Sequence, residues 1–360
     1  MLRGRVGLKG TDGVEIQKKA IELGAAPASP KRAVEALKHI LSLKGRIQLV
    51  TYPQEMGENE AKEAGFTPLV VGSIQTGKTT STDTNNAAQE MAQLGVDLLL
   101  FAGGDGTARD ICGAIDGNIP ALGIPSGVKI HSGVFAVNPE KAGDLATKYL
   151  QEDLPLREGE VMDIDEQAFR EGRVSARLYG YLRVPDEGTL VQDAKTGSSR
   201  GEDEEYQKNV IAVYVTEQMQ DDCYYIIGPG STTKPIGDRL GIEKSLLGVD
   251  VVKKGGLVAK DASEKQLLQS IQGKKAKIIV TPIGGQGYIF GRGNQQISPE
   301  VIKKVGRGNI VVVATKTKLN SLIGKPLRVD TGDSEVDMML TGYMRVIAGY
   351  REEVVKKVER

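Results

Sequence analysis

Residues 98–107, Leu-Leu-Leu-Phe-Ala-Gly-Gly-Asp-Gly-Thr, end an apolar run on a carboxylate set among glycines. Gly103, Gly104 and Gly106 carry no side chains and can take positive φ, so a phosphate can approach main-chain N–H groups while Asp105 stays close to the reacting atoms. A base beside a phosphate points to phosphoryl transfer. The pentapeptide taken alone also reads as a tight turn after a buried strand.

Further segments carry residues of the right chemistry. Lys9-Gly10-Thr11-Asp12-Gly13 follows a short β-like segment; it either presents a lysine and N–H groups to an anion or forms a turn capped at Thr11 or Asp12. Lys129 and His131 lie between glycines beyond the strand ending near Ile124, where they would border a ligand cleft, although a lone histidine such as His131 is more often a hydrogen-bonded structural residue than a ligand contact. Arg292 and Asn294, in a Gly-rich run, suit either phosphate and ribose oxygens or a hairpin or subunit contact. Neither histidine has partners for a metal site or a serine triad. Gly72-Ser-Ile-Gln-Thr-Gly77-Lys78-Thr79 satisfies the Walker A expression. A true Walker helix opens at the Lys-Thr pair, whereas here the better caps are Thr82 and Asp83, so the match is discounted in a chain with 45 glycines.

These loops need elements to hold them. As far as residue 135 the sequence alternates short apolar runs with helix-like stretches, the pattern of βαβ units on a parallel sheet. Strands are expected at 47–51, 68–72, 97–102 and 121–124, with helices at 30–43, 83–94, from 107 to about 116, and 139–150. The text then turns β-rich, with strands expected at 176–184, 210–216, 224–228, 256–260 and 278–282. Residues 186–207 read as a solvated, charged hairpin loop. Residues 334–360 read as a helix with Leu340, Met344, Ile347 and Val354 near one face, placed to pack back on the first domain.

The 360 residues suffice for two domains with sizeable cores, expected at 1–137 and 138–330 with the terminal helix at 331–360. Forty-seven basic and 47 acidic residues cancel, so no global field gathers nucleic acid or an anionic membrane, and the partner is expected to be small. Two distant cysteines, Cys112 and Cys223, build no disulfide framework. With no signal-peptide core and no run of eighteen apolar residues, a cytoplasmic protein is expected.

The loop at 103–107, together with Gly-Ile-Pro-Ser-Gly-Val-Lys-Ile-His-Ser-Gly-Val-Phe-Ala-Val-Asn at 123–138, Gly-Pro-Gly-Ser-Thr-Thr at 228–233, and Thr-Pro-Ile-Gly-Gly-Gln-Gly-Tyr-Ile-Phe-Gly-Arg-Gly-Asn-Gln-Gln at 281–296, resembles the ATP-NAD/AcoX kinase family of the NAD kinase superfamily. The opening Gly7-Leu-Lys-Gly-Thr-Asp-Gly resembles it too. The resemblance implies an α/β protein, NAD-kinase-like: a Rossmann-like, doubly wound N-terminal domain, a β-rich C-terminal domain, an active site in the cleft, and a homodimer or homotetramer. It makes Gly103, Gly104, Asp105, Gly106 and Thr107 the catalytic loop, with Asp105 taking a proton from the adenosine ribose 2′-hydroxyl of NAD. Gly228, Gly230, Ser231, Thr232 and Thr233 stand where the superfamily has a phosphate- or ribose-binding turn; alone, that tract also reads as a helix-capping turn. ATP as donor, or inorganic polyphosphate, and Mg2+ are implied as well.

One departure bears on the acceptor. NAD kinases carry an Asn-Glu or Asn-Asp pair that contacts the nucleoside part of NAD, and the corresponding strand here, residues 177–184, has none. A kinase of another small-molecule hydroxyl therefore stays open, as does a non-catalytic nucleotide sensor. The lack of an amphipathic or basic membrane segment argues against a lipid acceptor.

Overall fold

A computed structural model describes residues 21–24, 27–115, 117–127, 130–152, 154–164, 176–187, 202–283 and 286–360. Lys9, Thr11, Asp12 and Lys129 lie outside the described residues. The chain divides into two compact units, one holding Ala26–Ala194 and the other Lys195–Arg360.

In the first unit, short parallel strands alternate with helices as the sequence predicts. They are α1 (Ser29–His39), β1 (Val50–Thr51), α2 (Glu58–Glu63), β2 (Leu69–Val70), α3 (Ser81–Leu94), β3 (Leu99–Gly103), α4 (Asp105–Ile115), β4 (Ala121–Pro125) and α5 (Pro139–Gln151). Among the described residues β1 pairs with β2 and β3 with β4, both parallel. A long antiparallel hairpin follows, β5 (Leu156–Ile164) with β6 (Ala176–Pro185). Val161, Leu182 and Val184 of that hairpin join the same core as Val34, Phe101, Leu122, Ile124 and Leu145, so this unit runs well past residue 137. Leu99, Phe101 and Gly103 are the buried positions of β3, and Phe101 meets Phe135 edge-on at 5.4 Å, which anchors the chain immediately before Asp105.

The second unit is built on a nine-stranded sheet with helices on both faces. In chain order it comprises α6 (Glu202–Glu217), β7 (Tyr224–Ile227), α7 (Lys234–Arg239), β8 (Asp250–Lys253), β9 (Gly256–Ala259), α8 (Glu264–Ile271), β10 (Ala276–Val280) and β11 (Tyr288–Phe290). Then come α9 (Pro299–Val305), β12 (Ile310–Val313), α10 (Lys316–Asn320), β13 (Leu327–Val329), α11 (Ser334–Leu340), β14 (Gly342–Gly349) and β15 (Glu352–Glu359). The strand order is β11-β13-β15-β14-β12-β10-β7-β8-β9. Ile211, Ala212 and Val215 of α6 and Ile236 of α7 pack on one face against Ile227, Ile279 and Val313. Leu267, Val301, Ile302, Val336 and Leu340 cover Ile226, Ile278 and Val312 on the other. The protein is thus mixed α/β with a large mixed sheet.

Three expectations are corrected. Residues 202–207, read as the end of a charged loop, open α6, and residues 210–216, β-branched and read as a strand, form its second half. Glu204 and Glu205 pair with Lys208 along the preceding turn, and Ile211, Ala212 and Val215 share one buried helical face, so packing against the sheet overrides local propensity. The terminal helix is also a misreading: only α11 is helical, and residues 342–359 form the β14–β15 hairpin in register from Gly342↔Val358 to Gly349↔Glu352. It is part of the second unit's sheet.

Candidate active site

Gly103 closes β3 and Asp105 opens α4, so the carboxylate stands at the carboxyl end of a strand and in the first turn of a helix. The bend is tight: a Cβ on Gly103 would lie 2.3 Å from Thr107 Oγ1 and 2.5 Å from its Cβ. Only glycine leaves room there for Thr107, which faces back over the strand end.

Asp105 is buried, at 8% exposure, and its oxygens are fully engaged by residues 131–132. The His131 N–H reaches Oδ2 at 2.9 Å and Oδ1 at 3.1 Å, and the Ser132 N–H donates to Oδ1 at 2.9 Å. The Ser132 hydroxyl donates to the same Oδ1 at 2.6 Å while accepting from the Met162 N–H of β5 at 2.9 Å. His131 Nδ1 lies 3.2 Å from Asp105 Oδ2; its Nε2 is buried and has no hydrogen-bond partner among the described residues. One carboxylate therefore ties together the β3–α4 turn, the loop after β4, and β5. Sequence reasoning named Asp105 and His131 but missed Ser132, although it directly follows His131 in the same Gly-rich tract.

In the second unit, β7, β10 and β12 lie side by side and parallel, with Ile227 level with Ile279 and Val280 with Val312. The chain leaves all three at one edge of the sheet. Gly228, its N–H on Ile279 O, begins the Gly-rich turn, in which Thr232 and Thr233 are buried and Ser231 is exposed. Gly230 has φ +126°, and a Cβ there would come 2.9 Å from Thr281 Cγ2, so the turn can close on the β10 loop only with glycine. Thr233 donates to Gly228 O and Gly230 O at 2.8 and 3.0 Å, which fixes the turn from within. Lys318, which the sequence reading passed over, reaches Thr232 and Thr281 from α10.

The remaining sequence candidates are engaged elsewhere. Arg292 forms a buried ion pair with Asp330 at 3.0 Å and covers the Tyr288 ring, and Asn294 clasps its own loop through Gly291 N–H and Ile289 O. The Walker-like stretch is an exposed loop in which Glu55 accepts from the Gly77 N–H, a carboxylate where such a loop would hold phosphate. Its helix starts at Ser81 on a Thr80–Asp83 capping box, three residues beyond Lys78. A cavity of about 1000 Å³ in the first unit runs between the strand edges at 47–51 and 98–102 and has Thr107 in its wall but not Asp105. Among the described residues no three His, Cys, Asp or Glu side chains converge as a metal site, and no helix is long and apolar enough to cross a membrane.

The family profile for the ATP-NAD kinase N-terminal domain matches residues 25–154, and the profile for the ATP-NAD kinase C-terminal domain matches residues 220–358. The chain is a phosphotransferase with a hydroxyl group as acceptor. No curated protein and no solved structure matches it significantly. With both halves matched in order, it belongs to the NAD kinase family.

Proposed function

We propose that this chain is an NAD kinase, moving the terminal phosphoryl group of ATP, or of inorganic polyphosphate, onto the adenosine ribose 2′-hydroxyl of NAD. One observation carries the reading: Asp105 is a buried carboxylate fixed at a strand end by donors from residues 131 and 132. Held in that way, its acceptor oxygens are preorganised, so its contribution comes from position more than from basicity.

In the reaction Asp105 takes the proton of the attacking hydroxyl as the ribose oxygen bonds to the terminal phosphorus and the bond to the leaving phosphate oxygen breaks. Of the groups on Asp105, the Ser132 hydroxyl is the one that can rotate; turning its hydrogen away leaves a lone pair of Oδ1 for the substrate. From the Gly-rich turn, Ser231 and Thr232 supply N–H and hydroxyl groups to phosphate or ribose oxygens, while Gly228, Gly230 and Thr233, whose N–H and hydroxyl groups are held by Ile279 O, Leu246 O, Gly228 O and Gly230 O, shape the turn. The family implies a magnesium ion; among the described residues no three His, Cys, Asp or Glu side chains converge to hold one, and an ion carried on nucleotide phosphates and water would come with the substrate.

The missing Asn-Glu or Asn-Asp pair at 177–184 favours, as a second reading, a different hydroxyl acceptor on the same scaffold. Incubating the purified protein with magnesium, ATP or polyphosphate, and a panel of acceptors, then identifying products by mass spectrometry, separates the two. NADP supports the first reading; another phosphorylated species with no NADP replaces it, and bound nucleotide without product leaves a sensor. The family resemblance also supports a cytoplasmic homodimer or homotetramer, which light scattering on the purified chain would test.

A further inference from the structure

We infer that Lys318 is the cation of an anion-binding set at the edge of the second unit's sheet, with the Thr232 and Thr281 hydroxyls as its co-donors, and that its ligand is a polyphosphate group of the nucleotide. This rests on the reading of the chain as a nucleotide-dependent kinase and adds to it a binding residue outside the Gly-rich loops.

Three loops place the set. Since β7, β10 and β12 are adjacent, parallel and level, Thr232, Thr281 and Lys318 come from the carboxyl ends of three neighbouring strands, the edge at which open α/β sheets take ligands. Thr315, fully buried, accepts from the Lys318 N–H at 3.2 Å and so fixes where the lysine leaves its helix. The ammonium then lies 3.0 Å from Thr232 Oγ1 and 3.1 Å from Thr281 Oγ1.

The chemistry follows from the donor inventory. An ammonium has no acceptor, so in both contacts the threonine oxygen accepts and its own hydrogen is directed elsewhere. Both threonines are buried, and among the described residues neither hydroxyl donates to an acceptor. A positive charge flanked by two hydroxyl hydrogens without acceptors suits a ligand made of acceptors alone, and a chain of phosphoryl oxygens is that ligand. Gly230 serves the same set, since a side chain there would push Thr281 away from the turn that carries Thr232.

The test uses the full chain with inorganic tripolyphosphate and ATP as calorimetric probes, alongside steady-state kinetics. Lys318→Met keeps the stem and removes the charge. It is expected to weaken tripolyphosphate binding at least tenfold, to flatten its salt dependence, and to raise KM for the phosphoryl donor by a similar factor while kcat changes less; Lys318→Arg recovers part of the affinity. Should Lys318→Met fail to fold, Thr232→Val/Thr281→Val removes the two hydroxyl donors, with the same expected direction. Unchanged tripolyphosphate affinity in a folded Lys318→Met protein, or in the double valine variant, overturns the inference. The two claims fail separately: NADP formed by the wild type with binding unchanged in Lys318→Met sinks this inference alone. No NADP from the wild type, with binding lost in Lys318→Met, sinks only the NAD kinase reading.

Discussion

Asp105→Asn, the natural test of a general base, is here also a structural perturbation. The carboxylate receives the Ser132 N–H and hydroxyl at one oxygen and the His131 N–H at the other. An asparagine offers a single acceptor oxygen. If that oxygen stays with Ser132, the amide NH2 confronts the buried His131 N–H, donor against donor, and an orphaned donor of this kind costs about 1–3 kcal/mol. Turning two charge-assisted bonds to Ser132 into neutral ones costs roughly 1 kcal/mol more. His131 Nδ1 can offset part of this by accepting from the new amide. The net is on the order of 2–4 kcal/mol, which for a unit of this size lowers Tm by roughly 5–15 °C. Calorimetry on wild type and variant, read beside turnover, measures both effects, and turnover is expected to fall by orders of magnitude. An Asn variant that melts within a degree of wild type would refute the view that this carboxylate holds the 131–132 loop, and unchanged turnover would remove it as the base.

Gly103→Ala forces a methyl group into Thr107 and should displace the β3–α4 bend, lowering turnover well beyond any loss in Tm; an alanine variant with full activity would show that the bend has slack. Lys78→Ala should leave kinetics within about twofold of wild type, because Lys78 sits on an exposed loop whose Gly77 N–H already meets Glu55. A pH effect is expected from Lys244, whose ammonium lies fully buried 3.6 Å from Asp250. Burial pushes this lysine from 10.5 down to about 8, against the pull of Asp250, Asp261 and Asp238. Between those values the unfolded chain binds a proton that the folded protein has lost, so stability should rise with pH across that window by about 3 kcal/mol and be flat below it. Denaturation at stepped pH reads this directly, and Lys244→Met should abolish the rise.

Asp105 was legible as a candidate because its signals are local: an apolar run, glycines with no side chains, and an acid between them all lie within ten residues. The alternation that predicts α1, α3, β3, α4, β4 and α5 is legible for the same reason, as are the long Gly-rich tracts that reveal the family. What surrounds Asp105 was not, since the donors that occupy it come from positions 131 and 132 and are tied in turn to Met162. Residues 210–216 read as a strand because valine and isoleucine favour strands locally, and they became helix because one helical face finds the sheet of the second unit. The chain after Leu340 carried apolar residues at spacings compatible with a helix, and only pairing with β12 and β13 decides it as a hairpin. Lys318 lies 86 residues from Thr232 and 37 from Thr281, so no spacing announces them as one set. Sequence alone determined the chemistry available and the local turns that present it. Tertiary structure decided which groups meet, because a hydrogen bond or a strand pair between distant residues depends on how whole elements pack and leaves no periodic trace in either partner.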